Sequence, residues 1–333
     1  MRLTRPFTGV GRYIECLLNE WAAWDVPFQE IVLYAHSALR QDLAVFPLQR
    51  YKLRLVGRKL PDPLWEWTAL KRAHREVDLL FCPSYTVPLG YPGRCAVSYL
   101  GPAQHPARSL HALRGRLYDR LQRYSARRAD HVFTCSRIVK ERVVDVYGVA
   151  PERVSITYLA ASQLFRPIDD QQELRRVRQH FLGSQDPFIL FVGKLSGRHS
   201  IPELLEAFAQ VQRRGNLPHR LLLAGPDTLG LNVPARARSA GLAGQVIHIP
   251  FVPHAELPAL YSAAEIFIFP ASQAEGFGIP VLEAMACGTP VISTNQGSIP
   301  EFASQSALLV ERSSPEEMSQ AILRMATDQS LRD

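Results

Sequence analysis

The stretch that decides the fold is FPASQAEGFGIPVLEAMACGTPVIST, residues 269–294. The short apolar run Glu265–Phe269 that leads into it is typical of a buried strand. A helix-forming segment begins near Pro280 and ends at Gly288-Thr289-Pro290, before a second apolar strand at Val291–Ser293. The stretch therefore predicts a strand, a loop, a helix and another strand, which is the crossover unit of an α/β sheet.

The loop between the first strand and the helix has the composition of a phosphate-binding turn. Gly276 and Gly278 let the backbone pass close to a ligand, and Pro280 suits the first turn of a helix. The free N–H groups and partial positive charge at the start of such a helix favour a bound phosphate. Glu275 precedes the glycines, and Glu283 lies about one turn inside the helix, where its carboxylate is able to accept two hydrogen bonds from a ribose diol.

The spacing from Glu275 to Glu283 within EGFGIPVLEAMACGTPV resembles the signature of the retaining glycosyltransferases of family 4. This resemblance implies an α/β protein of the GT-B fold, with two Rossmann-like, doubly wound parallel-sheet domains that face a cleft. It implies that the acids and amides of this stretch bind the donor, with Glu283 on its ribose and Glu275 on its sugar. The donor-binding candidates here are Glu275, Gly276, Phe277, Gly278, Ile279 and Glu283.

Composition bounds the class of protein without choosing its function. The 333 residues are 47% hydrophobic and 21% charged, which is ordinary globular material and enough for two domains. We expect a cytoplasmic protein, because the sequence has neither a run of 18 apolar residues nor a signal peptide. The five scattered cysteines are not at metal-binding spacing and are interpreted as small buried side chains. A net charge of +7 fits an anionic partner, which leaves a nucleotide sugar, an anionic lipid surface or nucleic acid.

The N-terminal part, residues 1–167, is expected to form an acceptor-side Rossmann-like domain. It opens with Thr8-Gly9-Val10-Gly11-Arg12-Tyr13, a glycine turn into an amphipathic helix. In the resembling family such a turn follows the first strand and faces the cleft, which makes Gly11 a donor-site candidate. A glycine-capped surface turn is the alternative. Residues 1–7 are too polar for a central strand, so we expect that the first strand is missing.

Short apolar strands alternate with helical patterns along this domain, which predicts a parallel sheet covered by helices. The predicted strands are Ile31–Ala35, Tyr51–Val56, Leu79–Cys82, Cys95–Leu100, His131–Cys135 and Val154–Leu159. The predicted helices include Leu64–Arg75, Leu110–Arg128 and Ser136–Tyr147. Family members commonly carry a His-Asp pair where this sequence has Leu100-Gly101. The nearest histidine, His105, follows in the next loop.

The segment Arg108–Arg128 contains seven arginines and a single acid, Asp119, with leucines at helical spacing. Two interpretations stay open: a helix that faces the core and has a solvated basic side, or a helix that contacts an anionic membrane surface. Aromatic side chains are not interleaved with the arginines as stacking on bases requires, so we expect no nucleic-acid partner.

The second domain, residues 168–333, is expected to bind the nucleotide sugar. Its first predicted strand ends at Gly193, a position after which the family usually bears an Arg and, five residues later, a Lys that clamp the diphosphate. The matching residues are Lys194 and His199, and Arg198 is adjacent. A side-chain cation suits a leaving diphosphate, because it neutralises the charge that develops there. The resemblance also places the backbone near Val252 beside the nucleotide base.

We therefore predict a retaining glycosyltransferase that moves a hexose, such as mannose or glucose, from a nucleotide-diphosphate sugar to a glycan or lipid-linked glycan in polysaccharide biosynthesis. The predicted catalytic residues are Glu275, Lys194 and Arg198, and the resemblance implies no metal or other cofactor. The crossover helix that ends the family's second domain is expected to be missing. The alternative is a catalytically impaired nucleotide-sugar or glycan binder that acts as an assembly partner. A nucleotide-sugar epimerase is disfavoured because the central stretch matches the transferases.

Overall fold

A computed structural model of the chain describes residues 9–35, 48–56, 65, 68, 70–101, 110–215, 217–271 and 276–332. The chain divides into two compact units, unit 1 (Met1–Leu159) and unit 2 (Ala160–Asp333). The sequence placed this division at residue 167. Phe165 lies on the unit 2 side of the division, since its ring packs edge-on against His254 and Tyr261. Residues 1–7, where the sequence predicts no central strand, lie outside the described ranges.

Unit 1 is a parallel α/β unit. Its helices are α1 (Gly9–Ala23), α2 (Leu110–Arg128) and α3 (Arg137–Glu141), and α3 continues as a π-helical turn over Arg142–Val146. Its strands are β1 (Val32–Ala35), β2 (Lys52–Leu55), β3 (Leu79–Cys82), β4 (Arg94–Tyr99), β5 (His131–Thr134) and β6 (Val154–Ile156). Short 3-10 turns cover Leu48–Arg50, Leu70–Arg75 and Pro151–Arg153.

The strands of unit 1 form two parallel sheets, ordered β3-β4-β5-β6 and β1-β2. All six predicted strands are present with small changes at their ends. The helical pattern predicted over Leu64–Arg75 is confirmed over Leu70–Arg75, where it forms a 3-10 helix and not an α-helix. The His74 ring nitrogen Nδ1 lies 2.9 Å from the Lys71 carbonyl oxygen, and the amides of Glu76 and Val77 share the carbonyl of Ala73. These bonds compete with the regular helical ladder.

Unit 2 is a larger α/β unit. Its helices are α4 (Gln171–Leu182), α5 (Ile201–Gly215), α6 (Val233–Ser239), α7 (Leu257–Ala263), α8 (Ile279–Ala286), α9 (Pro300–Ala303), α10 (Pro315–Thr327) and α11 (Gln329–Arg332). Its strands are β7 (Phe188–Val192), β8 (Arg220–Ala224), β9 (Val246–Ile249), β10 (Ile266–Phe269), β11 (Val291–Thr294) and β12 (Leu308–Val310). A 3-10 turn covers His254–Glu256.

The strands of unit 2 form one parallel sheet in the order β12-β11-β10-β7-β8-β9. The chain builds outward from β7 to β9 on one side and then from β10 to β12 on the other. The order therefore reverses between the neighbours β7 and β10, and ligands of open α/β sheets bind in the crevice at the carboxyl ends of such strands. Both strands are almost wholly apolar and buried, because helices cover both faces of the sheet.

Two general predictions can be compared with the described residues. The five cysteines are free thiols: four are buried, as the sequence predicted, and Cys16 is only half-buried. Within the described ranges, no helix combines the length and the apolar composition that crossing a membrane requires.

Candidate functional site

The candidate site lies at the carboxyl ends of β7 and β10 in unit 2. Phe191 and Phe269 lie near the carboxyl ends of these strands. Their rings stack with a centroid distance of 5.9 Å and an interplanar angle of 11°. The ring of His199 packs against both, with centroid distances of 5.5 Å to Phe191 and 4.9 Å to Phe269. These three buried rings form a floor beneath the strand ends where the strand order reverses.

Two glycine-containing loops converge on this floor. A Cβ atom added at Gly193, after β7, would lie 3.7 Å from the ring of Phe269, and one added at Gly278, before α8, would lie 3.8 Å from the same ring. The loop after β7 and the central stretch, which are far apart in the chain, therefore meet at one strand end.

The backbone at this edge is close enough to require glycine. Gly225, after β8, has a φ of +141°, and a Cβ there would lie 2.0 Å from the Gly193 carbonyl oxygen. Gly278 has a φ of +90°, and its added Cβ would lie 2.5 Å from Ile299 Cδ1. A side chain at either position must displace the loop that it belongs to or the neighbour that it meets.

The loop after β7 carries the three predicted cations. Lys194 is exposed and Arg198 is half-buried, whereas His199 is buried with 5% of its surface exposed. His199 Nδ1 lies 2.6 Å from the Lys194 carbonyl oxygen, which can only accept, so Nδ1 carries a proton. This bond closes the loop and fixes the orientation of the ring. The roles of these residues toward a diphosphate stay predictions.

The start of α8 has the geometry expected of the central stretch. Gly278 is the N-cap residue in a left-handed conformation, and Pro280 lies in the first turn. Pro280 has no N–H, and the Val281 amide bonds the Gly278 carbonyl at 2.9 Å, so Ile279 carries the first amide of α8 that could meet a ligand. Glu275 falls on residues 272–275, outside the described residues, so its predicted contact with the donor sugar stays a prediction.

The other donor-binding candidates of this stretch differ in how their side chains are buried. The Phe277 ring stacks on Phe302 at 4.8 Å and is 3% exposed, so it belongs to the core and does not face a ligand. Gly276 is buried, and Ile279, the first residue of α8, is half-buried. The side chain of Phe277 therefore anchors the loop.

Glu283 is more deeply buried than a ribose-binding residue was expected to be. It is 1% exposed, and its Oε2 accepts a hydrogen bond of 3.0 Å from the hydroxyl of Tyr261. Burial raises the pKa of the nearby Cys287 thiol to about 11, and the negative charge of Glu283 adds to this rise. In this structure Glu283 joins α8 to α7, and its contact with a ribose stays a prediction.

Two further candidates lie at other points. Val252 is buried in the short segment after β9, while its neighbour Phe251 is 71% exposed. Gly11 is buried in the first turn of α1 in unit 1, within the helix that starts at Gly9. Leu100 and Gly101 directly follow β4, and His105 lies outside the described residues.

Sequence reasoning missed a set of buried hydroxyls that hold the central loop. Ser293 donates to the Phe269 carbonyl at 2.7 Å, and Thr294 donates to the Ala271 carbonyl at 2.6 Å. Ser298 donates to the Gly276 carbonyl at 2.9 Å. These three hydroxyls bond carbonyls on both sides of the undescribed residues 272–275. The signal was present in the string Val291-Ile292-Ser293-Thr294-Asn295-Gln296-Gly297-Ser298, where polar residues follow directly on a buried strand.

No group of three or more His, Cys, Asp or Glu side chains among the described residues is arranged to hold a metal ion. The expectation that the protein works without a metal stays a prediction.

Two family models match the chain. The model described as Glycosyltransferase Family 4 matches residues 7–160, and the one described as Glycosyl transferases group 1 matches residues 172–333. Together they account for nearly all of unit 1 and unit 2. The chain belongs to the family 4 glycosyltransferases, and its two Rossmann-like units are those of the GT-B fold class, as the sequence predicted.

Individual relatives are more distant. The O-antigen chain mannosyltransferase B of Escherichia coli is 28% identical over 237 residues, which cover 70% of this chain and 59% of that protein. The chain thus spans less than two-thirds of the length of this relative.

Solved structures share the fold. WaaG, a glycosyltransferase involved in lipopolysaccharide biosynthesis, aligns with a TM-score of 0.76 at 18% identity and covers 98% of this chain and 90% of its own. Anabaena HepE, solved with UDP-glucose, aligns with a TM-score of 0.76 at 15% identity and covers 99% of this chain and 89% of its own. At these identities the likeness establishes the fold.

Proposed function

We propose that the protein is a retaining glycosyltransferase that moves a hexose from a nucleotide-diphosphate sugar to a hydroxyl of a glycan. The observation that carries the proposal is the convergence of two loops on Phe269. One loop bears Lys194, and the other leads into the amino end of α8. A cation and a helix amino end at one crevice are suited to a diphosphate.

The proposed reaction needs these groups because the leaving diphosphate gains negative charge. The bond between the anomeric carbon and the phosphate oxygen breaks, the acceptor oxygen bonds to the same carbon, and the acceptor proton passes to the leaving phosphate. Lys194, with Arg198 or His199, stabilises that phosphate through charge. Glu275 and the amides of Gly276–Gly278 bind the sugar hydroxyls and the diphosphate. We propose that Glu283 binds the ribose and that no metal takes part.

The sugar and the acceptor are proposed from the relatives. The mannosyltransferase that resembles this chain makes an O-antigen chain, so we propose mannose as the first donor sugar to test, ahead of glucose. The acceptor is proposed to be a saccharide chain, free or lipid-linked, at the cytoplasmic face of a membrane.

The exposed side of α2 supports contact with an anionic membrane. Arg116, Arg120, Arg123 and Arg127 recur at intervals of three and four residues and are all exposed. Leu117, on the same helix, is 55% exposed. A surface of this kind binds anionic lipid headgroups through charge and adds an apolar contact. Sedimentation with phosphatidylglycerol vesicles, set against phosphatidylcholine vesicles, tests this contact.

The decisive experiment uses a property of the sequence: Lys194 is the only lysine between residues 160 and 333. Acetylation read by mass spectrometry should modify Lys194 in the free protein and spare it when GDP-mannose or UDP-glucose is bound. Turnover of the bound donor by Lys194→Ala should fall by about 100-fold or more, since it loses a cation at the leaving group. Lys194→Arg should retain part of the activity.

The control is Arg213→Ala, which removes an exposed cation from α5 of the same unit. It should leave turnover unchanged. Undiminished turnover by Lys194→Ala and Glu275→Ala would remove the assignment. Protection of Lys194 by a nucleotide without transfer to any acceptor would favour a binding protein over an enzyme.

A further inference from the structure

Unit 1 contains a cavity of about 510 Å³ that the proposed reaction does not use. It lies where α1 ends and where β1 and β2 begin, and it is called the Trp24 pocket below. Its lining is formed by two short segments, residues 21–31 and 49–52. The side chains that matter for its chemistry are Trp21, Trp24, Phe28, Asp25, Gln29 and Arg50.

The pocket presents aromatic surface to solvent. Trp24 is 66% exposed and Phe28 is 48% exposed. Grouped, exposed rings of this kind mark binding surfaces, because water solvates them poorly. Burial of the ring faces by a ligand removes this unfavourable contact with water.

The aromatic surface is held in place from beneath. The ring of Trp21 lies 6.4 Å from that of Phe28 and 5.8 Å from that of Phe81 on β3. Phe81 in turn packs edge-on against Phe133 on β5 at 6.0 Å. The backbone amide of Trp24 bonds the Glu20 carbonyl at the end of α1. Trp21 and Phe28 are therefore tied to the main sheet of unit 1 and the backbone of Trp24 to α1, so this part of the pocket is formed before a ligand binds.

Polar groups surround the rings. Within the described part of the chain, the side chains of Asp25 and Gln29 make no hydrogen bond and are exposed, so they are available to a ligand. On the rim, Lys52 Nζ lies 3.0 Å from Glu30 Oε1, so these two charges largely cancel. The positive charge of Arg50 likewise offsets the negative charge of Asp25 in the lining. The pocket thus combines acceptors, donors and rings with little net charge.

A pyranose sugar matches this combination. Its C–H faces pack on aromatic rings, while its hydroxyls at the ring edge bond to carboxylates, amides and guanidinium groups. The mixed charges favour a neutral ligand over a phosphate. An anionic lipid surface is less suited, because Asp25 and Glu30 offset the positive charges of Arg50 and Lys52 and leave little net attraction for its headgroups. The volume falls within the range of small-ligand pockets.

The place of the pocket separates it from the usual ligand edge of an α/β sheet. Ile31 directly precedes β1, and Lys52 is the first residue of β2. The pocket therefore lies at the amino ends of these strands, whereas ligands of open sheets bind at the carboxyl ends. We propose that the Trp24 pocket is a second saccharide-binding site, which holds a neutral oligosaccharide. The choice of a saccharide as ligand rests on the proposed glycosyl transfer.

The test is calorimetric titration of the full chain with linear mannose oligosaccharides of increasing length. The wild type should bind them, and Trp24→Ala should weaken binding by about tenfold or more through loss of a stacking surface. Trp24→Phe, which keeps an aromatic face, should stay within about threefold of the wild type. Leu229→Ala truncates another exposed apolar side chain, 44% exposed, and should not change binding.

The outcomes distinguish this site from the proposed reaction. Saccharide binding that depends on Trp24 upholds the site even if no donor is turned over. Equal affinity of Trp24→Ala and wild type overturns it, even if transfer is observed. Binding of anionic vesicles that depends on Trp24, without saccharide binding, also overturns it and assigns the pocket to a membrane.

Discussion

The carboxyl edge of the unit 2 sheet and the Trp24 pocket of unit 1 both contain aromatic rings, but these rings differ in their exposure to solvent. At the edge, the rings of Phe191 and Phe269 are buried, and glycines let the backbone pass close beside them. In the pocket, the rings of Trp24 and Phe28 face solvent. Substitutions at the edge should therefore cost folding free energy before they cost binding. Substitutions in the pocket should cost binding alone.

The largest expected effect is at Gly225. Gly225→Ala introduces a Cβ that would lie 2.0 Å from the Gly193 carbonyl oxygen, and it does so at a φ of +141°. The contact is with backbone, so the loop that bears Lys194 must move. We expect a loss of about 3 kcal/mol or more in the free energy of unfolding, measured by urea denaturation.

Gly241→Ala separates the two causes. Gly241 also has a positive φ, +76°, but nothing lies within 4 Å of an added Cβ. It should cost about 1 kcal/mol, the strain of the left-handed backbone alone. An equal loss of unfolding free energy at both positions would mean that the close approach at Gly225 relaxes easily. The carboxyl edge would then not be rigid.

A smaller effect is expected at Ser298, which is fully buried and donates to the Gly276 carbonyl. Ser298→Ala removes one neutral hydrogen bond and should cost about 1 kcal/mol of unfolding free energy. It also loosens the loop before α8, so the KM for the donor should rise several-fold while the fold persists.

Ser319→Ala is the matched control. Ser319 is equally buried, but its hydroxyl bonds Gln210 and Glu316, away from the central loop. It should lower stability by a similar amount and leave the donor KM unchanged. If Ser298→Ala also leaves the KM unchanged, the hydroxyl only supports the fold and does not position the loop.

Features fixed by neighbouring residues could be predicted from the sequence, whereas contacts between distant residues could not. The central stretch predicted the strand β10, the loop and the helix with Pro280 in its first turn, because local backbone chemistry fixes these features. The bond from Ser298 to Gly276 joins residues 22 positions apart, and so does the bond from Tyr261 to Glu283. No local pattern encodes such pairs.

The Trp24 pocket was hidden for a related reason. Its lining comes from residues 21–31 and 49–52, which meet only because β1 and β2 pair side by side. Exposed aromatic residues in a turn are also indistinguishable, in sequence, from core residues. The glycines that let two loops meet at Phe269 were visible as a local pattern, whereas the grouped rings of the Trp24 pocket were not.

The smallest expected effect is at the opposite, amino edge of the unit 2 sheet, where Glu265 precedes β10. His219 Nε2 lies 3.3 Å from Glu265 Oε2, and Arg332 Nη1 lies 3.4 Å from Oε1. The His219 ring, whose Nε2 faces the carboxylate, and the charge of Arg332 hold the pKa of Glu265 below its ordinary value of 4.5. Because the pKa of Glu265 is lowered on folding, its ionised carboxylate stabilises the folded state at pH values above 4.5. This contribution is lost as the pH falls through the lowered pKa of the folded state.

Glu265→Gln removes this contribution. The stability difference between wild type and variant should be below about 1 kcal/mol at neutral pH, since solvent partly screens the pair. The difference should shrink as the pH falls below 4.5, measured by urea denaturation over a pH series. Glu206→Gln, an exposed acid on α5, should show no such trend. A stability difference at Glu265 that does not depend on pH would mean that the side chain acts through packing. The amino edge would then be stabilised by packing, as the carboxyl edge is.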